Sequence, residues 1–134
     1  MLEDKILTDY RIVAVVGASP NPERPSNQVA AYLIENGYRI IPVNPNAAEI
    51  LGQKCYPDLA SIPEKVEVVD IFRRSEDVMP IVEEAIKIGA GAVWMQEGVV
   101  NEEAAAKARD AGLLVVMDRC MLKEHSRLTQ DRLQ

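Results

Sequence analysis

The sequence predicts an α/β fold in which short apolar strands alternate with amphipathic helices. Five apolar runs rich in β-branched residues recur along the chain, and segments with apolar residues three or four positions apart lie between them. Each of these helical segments ends next to a glycine, a common position for a helix C-terminus. Strands that are apolar along their whole length are typical of a parallel sheet covered on both faces. We therefore expect helices on both sides of a mainly parallel sheet.

The predicted strands span residues 11–16, 38–43, 66–72, 92–95 and 113–117. Predicted helices span residues 26–36, 75–88 and 101–111, the last capped by Asn101 and followed by Gly112. Residues 44–62 read as an irregular crossover of turns with one short helical piece. Together these elements predict a single doubly wound, Rossmann-like domain over residues 1–134, with a five-stranded, mainly parallel sheet of order 3-2-1-4-5.

Composition excludes several classes of protein. The chain has 48% hydrophobic and 27% charged residues, as in ordinary globular proteins. A formal charge of −6 and few aromatic residues argue against a nucleic-acid or anionic-membrane binder. No apolar run is long enough for a membrane helix, and the first residues do not form a signal peptide, so we expect a cytoplasmic protein. Cys55 and Cys120 with a single His125 give no metal-ligand pattern.

A candidate binding site follows the first strand. There Gly17, Ala18 and Ser19 lead through two prolines to Arg24 and Ser26 at the start of a helix. Unpaired N–H groups at a helix start suit a phosphate. In such sheets, ligands bind beyond the carboxyl ends of the strands where strand order reverses. This point lies between strands one and four if the short crossover strand is counted, and between one and three otherwise.

The loops argue against a typical NAD site. Such a site has a second glycine in the first loop and an acidic residue after the second strand, but here Val43 is followed by Asn44 and Pro45. The strand ends carry cations instead, and arginine suits phosphate oxygens. The five cations are Arg24, Arg73, Arg74, Arg119 and Lys123.

Over nearly its whole length the chain resembles the small CoA-binding proteins related to the nucleotide-binding domain of the succinyl-CoA synthetase α subunit. The similarity rests on the residues of the first loop, on residues 37–45 and 71–73, on Val78 and Pro80, on residues 94–98 and 118–120, and on Glu124 with His125. It implies a Rossmann-like domain that binds coenzyme A, or a short acyl-CoA, non-covalently.

The resemblance also implies roles for particular residues. Gly17, Ala18 and Ser19 would form the loop around the diphosphate, with Arg24 and Ser26 beside it. Asn44 and Pro45 would shape the nucleotide pocket, and Phe72 and Arg73 would lie along the ligand. Gln96 would face the pantetheine arm near its thiol end.

Three alternatives remain open from the sequence. The synthetases pass a phosphoryl group through a histidine on a second domain that this sequence lacks, so the first possibility is a protein that binds CoA without catalysis. His125, next to Glu124, is expected to be a surface or capping residue. An NAD(P)-dependent oxidoreductase or redox sensor is the alternative function, and an interaction module with a vestigial pocket is the third.

Cys120 is expected to be structural, with a mixed disulfide to CoA as the rival interpretation. A homodimer is compatible with the sequence.

Overall fold

The computed structural model describes residues 1–132 of the chain. Its helices are α1 (Leu2–Asp9), α2 (Pro25–Glu35), α3 (Val78–Lys87), α4 (Glu102–Asp110) and α5 (Met121–Arg132), and a 3-10 turn, Ser75–Asp77, precedes α3. Its strands are β1 (Ile12–Val16), β2 (Arg39–Val43), β3 (Glu49–Ile50), β4 (Gln53–Lys54), β5 (Val68–Ile71), β6 (Ala92–Met95) and β7 (Leu114–Val116). All five predicted strands and all three predicted helices are present, with no end shifted by more than about three residues.

The α/β class with a five-stranded parallel sheet is confirmed, but the predicted strand order is wrong. The sheet runs β2-β1-β5-β6-β7, which is 2-1-3-4-5 when its five strands are numbered along the chain. After β2 the chain adds no strand beyond that edge. Its one backbone bridge to β2 within residues 1–132 joins Val43 to Tyr56, and the chain then passes to the other side of β1 and enters β5.

The crossover, residues 44–62, contains a hairpin and lacks the short helical piece that was predicted within it. Strands β3 and β4 pair antiparallel around Leu51 and Gly52, which both have positive φ. Two such residues form the two-residue turn that suits a hairpin. Leucine rarely adopts this conformation, so the sequence carried only the glycine as a signal.

Helices α1 and α5 lie outside the three predicted helical segments. Helix α1 has eight residues and buries Ile6 and Leu7 alone. A helix this short is unstable by itself and forms because its few apolar side chains pack on the rest of the molecule. Of the residues in α5, only Met121 is fully buried. Each helix thus buries only one or two side chains fully, which left little apolar pattern for a sequence-based prediction.

The sheet separates two apolar cores. One face, with Val69 and Ile71 of β5, packs under α3 and α4. The other face, with Val68, packs under α1, α2 and α5 around the fully buried Trp94. The indole N–H of Trp94 donates to the carbonyl of Arg119 at 2.8 Å, which ties β6 to the loop before α5. Within residues 1–132, no helix has the length and apolar character needed to cross a membrane.

Candidate functional site

The candidate site lies beyond the carboxyl ends of β1 and β5. From β1 the chain continues to β2 on one side, and from β5 it continues to β6 on the other side, so strand order reverses between these two parallel neighbours. This is the second of the two positions that the sequence allowed, between the first and third strands of the sheet. Two adjoining chambers open there, called the front chamber and the rear chamber below.

The front chamber has a volume of about 410 Å3. It brings together nine of the ten predicted site residues, all except Gln96. Its lining consists of Gly17, Ala18, Ser19, Arg24, Pro25, Ser26, Asn44, Pro45, Asn46, Phe72 and Arg73. Residues from three separate loops thus meet at one place, as the sequence predicted.

Gly17 allows the first loop to pass close to the end of β5. It has φ of +88°, and a Cβ at this position would lie 2.2 Å from the carbonyl oxygen of Phe72. No other residue type fits both the backbone conformation and this approach. The close approach brings the first loop and Phe72 to the same chamber.

Two asparagine side chains hold the first loop in place. The amide nitrogen of Asn44 donates to the carbonyl of Ala18 at 2.8 Å, and that of Asn27 donates to the carbonyl of Ser19 at 2.9 Å. Asn27 is buried, and sequence reasoning did not single it out. Because both asparagines take up carbonyl oxygens, the loop can turn its N–H groups towards the chamber.

Backbone donors remain free at this point. Within residues 1–132, the N–H groups of Ala18, Ser19 and Ser26 form no backbone hydrogen bond. Arg24 is the N-cap of α2, but its side chain does not cap the helix. The hydroxyl oxygen of Ser19 accepts from the N–H of Asn21 at 3.1 Å, so its proton is available to another acceptor. A helix start with free N–H groups attracts anions.

The charges around the front chamber are all positive. Arg24 and Arg73 border it, no Asp or Glu does, and neither arginine has a carboxylate partner within residues 1–132. This is notable in a chain with a net charge of −6. The chamber therefore combines free backbone donors with two free guanidinium groups.

The other three predicted cations are engaged locally. Arg74 pairs with Asp77 at 3.2 Å, and Lys123 pairs with Glu97 at 3.0 Å. The guanidinium of Arg119 donates to the carbonyl of Asp118 at 2.8 Å. The structure thus separates two free arginines from the set of five that the sequence proposed.

The rear chamber adjoins the front one and has a volume of about 640 Å3. Pro25, Phe72 and Arg73 border both chambers, so the two form one continuous groove. The remaining lining is Val29, Arg74, Asp77, Gln96, Glu97, Val99 and Cys120. Gln96, the tenth predicted site residue, therefore lies in the second half of the same groove.

A buried carboxyl group lies behind Gln96. Asp70 of β5 is fully inaccessible to solvent, and one amide atom of Gln96 lies 2.8 Å from its Oδ1 and 3.2 Å from its Oδ2. Burial raises the pKa of the Asp70 carboxyl well above its ordinary value. Sequence reasoning missed Asp70, although an acid in the middle of the run Val68–Ile71 is a signal that could have found it.

The two cysteines are free thiols in different surroundings. Cys55 is buried, and burial raises the pKa of its thiol. Cys120 is partly exposed and borders the rear chamber just before α5. Cys55 therefore lies in the core, whereas Cys120 lies at the edge of the groove.

His125 packs between helices, away from either chamber's lining. Its Nδ1 lies 2.8 Å from the hydroxyl of Tyr32, and the ring packs edge-on against Tyr32 and Tyr38. Burial and then the nearby cations Arg11 and Arg132 lower the pKa of its imidazole. His125 therefore connects α5 to Tyr32 of α2, a packing role that the expectation of a surface or capping residue did not include.

Fold and site together define a Rossmann-like domain with a groove, lined in part by two unpaired arginines, at the point where strand order reverses. The chain belongs to the CoA binding domain family, whose pattern matches residues 11–126. This confirms the family resemblance found in the sequence.

Known relatives agree with this assignment. An uncharacterized protein of Bacillus subtilis, YneT, is 39% identical over 122 residues, covering 91% of this chain and 90% of that protein. An ADP-forming acetate–CoA ligase of Archaeoglobus fulgidus is 38% identical over 93 residues, which are 67% of this chain but 14% of the ligase. The solved structure of a hypothetical protein from Pyrococcus horikoshii is 52% identical, with a TM-score of 0.92, over 95% of this chain and 89% of that one.

Proposed function

We propose that this protein binds coenzyme A, or a short acyl-CoA, non-covalently in the groove formed by the two chambers. The observation that carries the proposal is the front chamber, which has two free arginines, three free backbone N–H groups and no carboxylate among the described residues. Such a chamber suits a ligand with several phosphate groups. Membership of the CoA binding domain family supports CoA as that ligand.

In this proposal the diphosphate lies in the front chamber. The N–H groups of Ala18 and Ser19 and the hydroxyl of Ser19 donate to its oxygens. Arg24 pairs with a phosphate, and the free N–H of Ser26 adds a donor from the start of α2. Charge-assisted hydrogen bonds of this kind are shorter and stronger than neutral ones.

The rest of the ligand follows the groove in both directions. Asn44 and Pro45, after β2, shape the nucleotide pocket on one side. Phe72 and Arg73 border both chambers and lie along the ligand where it passes between them. The pantetheine arm enters the rear chamber, where apolar side chains suit its methylene groups and Gln96 lies near its thiol end.

A ligand screen by thermal shift tests this function. Purified protein is titrated with CoA, acetyl-CoA, NADH, NADPH and ATP. A ligand that binds only the folded state adds about 2.7 kcal/mol of stability at 100 times its dissociation constant. We expect CoA and acetyl-CoA to raise the melting temperature. A shift with the nicotinamide nucleotides alone would overturn the proposal in favour of a dinucleotide-binding protein.

Arg24→Ala tests the phosphate contact within the same assay. The substitution removes one of the two free guanidinium groups, so we expect CoA affinity to fall by roughly tenfold or more, the value of a charged hydrogen bond. Arg109→Ala is the matched control, because Arg109 is exposed on α4 and borders neither chamber. Equal affinities for the two variants would remove Arg24 from the proposed site.

A further inference from the structure

Asp70 and Gln96 form a buried polar pair on the face of the sheet that lies under the rear chamber. Side chains two residues apart on a strand share a face, so Asp70 lies on the same face as Phe72, and Trp94 on the same face as Gln96. Phe72 and Gln96 border the rear chamber, whereas Asp70 is completely buried beneath it. Gln96 thus connects a hidden carboxyl group to the surface of the chamber.

The surroundings of Asp70 offer it no charged partner within residues 1–132. Its neighbours across the sheet are Val15 of β1 and Trp94 of β6, whose indole N–H is already donated to Arg119. Helices α2 and α5 cover this face with aliphatic side chains such as Val29 and Met121. A carboxylate without a cation is strongly disfavoured in such a place, and burial therefore favours the neutral form of Asp70.

Other ionisable groups lie around the chamber but not beside the carboxyl group. Those that border it are Arg73, Arg74, Asp77, Glu97 and Cys120. Arg74 pairs with Asp77, and Glu97 pairs with Lys123 at the start of α5. His125 lies one turn further along α5, where Tyr32 contacts its ring. None of these ionisable groups contributes to the shift in the pKa of Asp70, because burial is the cause of that shift.

The two forms of Asp70 demand opposite orientations of the Gln96 amide. The amide atom nearest Asp70 is 2.8 Å from Oδ1 and also 3.4 Å from the N–H of Met121. When Asp70 is neutral, that atom must be the oxygen, which accepts from the Asp70 hydroxyl and from Met121. When Asp70 is ionised, it must be the nitrogen, which donates to both carboxylate oxygens.

We propose that Asp70 and Gln96 act as a proton-dependent selector, in which the protonation of Asp70 sets whether Gln96 offers the rear chamber a hydrogen-bond donor or an acceptor. With neutral Asp70 the amide nitrogen faces the chamber and suits the carbonyl of a thioester. With ionised Asp70 the amide oxygen faces it and disfavours that carbonyl. The inference rests on the proposed CoA function for its ligand, and Asp70 is a positioning residue in it.

NMR tests the pair without any ligand. The side-chain amide of Gln96 is observed with a 15N label and the carboxyl carbon of Asp70 with a 13C label, from pH 5 to pH 10. We expect both signals to change together at one pH above the ordinary carboxyl range. A Gln96 signal that stays constant while Asp70 titrates, or an Asp70 that is ionised or neutral throughout, would overturn the selector.

Two ligands then test whether the orientation of the Gln96 amide changes the preference for a thioester carbonyl. Acetyl-CoA and S-methyl-CoA both lack a free thiol and differ by the thioester carbonyl, so titration of their phosphates cancels in the ratio of their affinities. We expect the preference for acetyl-CoA to fall roughly three- to tenfold as the pH rises through the NMR midpoint, the value of one hydrogen bond. A ratio that does not change with pH would contradict the proposal.

Asp70→Asn is the conservative variant. Its amide keeps a donor towards Gln96 and cannot titrate, so we expect the acetyl-CoA preference of the low-pH form at every pH. Asp110→Asn, an exposed residue of α4, is the matched control and should keep the pH dependence of the wild type. A ratio in Asp70→Asn that still changes with pH overturns the selector. If neither ligand binds, the CoA function fails, while the NMR titration still decides whether the pair exists.

Discussion

Gly17 shows how a single residue controls the geometry of the groove. Its positive φ and its approach to the carbonyl of Phe72 bring the first loop against the end of β5. The sequence predicted Gly17 as part of a phosphate loop, but not this contact, because Phe72 is far away along the chain. A glycine in a loop marks a turn, whereas the neighbour that excludes a side chain is known only from the fold.

Gly17→Ala is expected to destabilise the protein strongly. The new Cβ would meet the Phe72 carbonyl at 2.2 Å, in addition to the strain of positive φ. Gly112→Ala is the matched control, since Gly112 has φ of +91° but a Cβ added there would have no neighbouring atom within 4 Å. We expect the control to lose about 1–2 kcal/mol of unfolding free energy and Gly17→Ala several kcal/mol more, measured by urea denaturation. Equal losses would show that the loop moves freely away from β5.

At the scale of secondary structure, the helices divide into those that sequence patterns predicted and those that packing creates. Helix α4 was predicted from its cap, and the side chain of Asn101 does accept from the N–H of Ala104 at 2.9 Å. Helices α1 and α5 fully bury only one or two residues each and depend on each other and on the sheet. Contacts such as Tyr32 with His125, which joins α2 to α5, connect residues too distant in sequence for periodicity to reveal.

His125 is expected to make the stability of the α2–α5 contact depend on pH. Its folded-state pKa lies below the unfolded value of about 6.5, so the unfolded chain binds the proton more readily. The stabilisation is therefore complete above about pH 6.5 and is lost as the pH falls below it. In the protonated ring both nitrogens carry a hydrogen, so Nδ1 can then only donate to the Tyr32 hydroxyl.

The variant His125→Gln isolates this effect. We expect the difference in melting temperature between wild type and His125→Gln to decrease as the pH is lowered from about 7.5 to about 5, because glutamine does not titrate. A difference that is constant over this range would contradict the assigned pKa shift.

At the scale of the whole molecule, α1 and α5 close the structure over one face of the sheet. Arg127 of α5 pairs with Asp4 at 2.7 Å, and Arg132 donates to the hydroxyl of Thr8 at 3.0 Å. Beneath these exposed contacts, Ile6 and Leu7 are buried, and the carbonyl of Leu7 accepts from Arg11 at 2.7 Å. Surface ion pairs contribute little, so burial of the two apolar residues holds α1 in place.

Leu7→Ala is expected to lower the free energy of unfolding by about 2–5 kcal/mol, the range for removing a buried leucine side chain. Leu2→Ala is its control within the same helix, because Leu2 is 36% exposed and should change stability by less than about 0.5 kcal/mol. Chemical denaturation of both variants gives the comparison. Similar stabilities would mean that α1 adds nothing to the folded state.

The sequence by itself determined the α/β class, the five strands, three helices and a group of residues that meets in one groove. These follow from local properties, namely apolar periodicity, caps and glycine turns, and from the rule that parallel strands place their carboxyl ends at one edge. The tertiary structure alone decided the strand order, the hairpin at Leu51 and Gly52, which arginines are free, and the burial of Asp70 behind Gln96. Each of these features depends on contacts between residues that are distant in the chain, and local sequence patterns do not show which distant residues will be in contact.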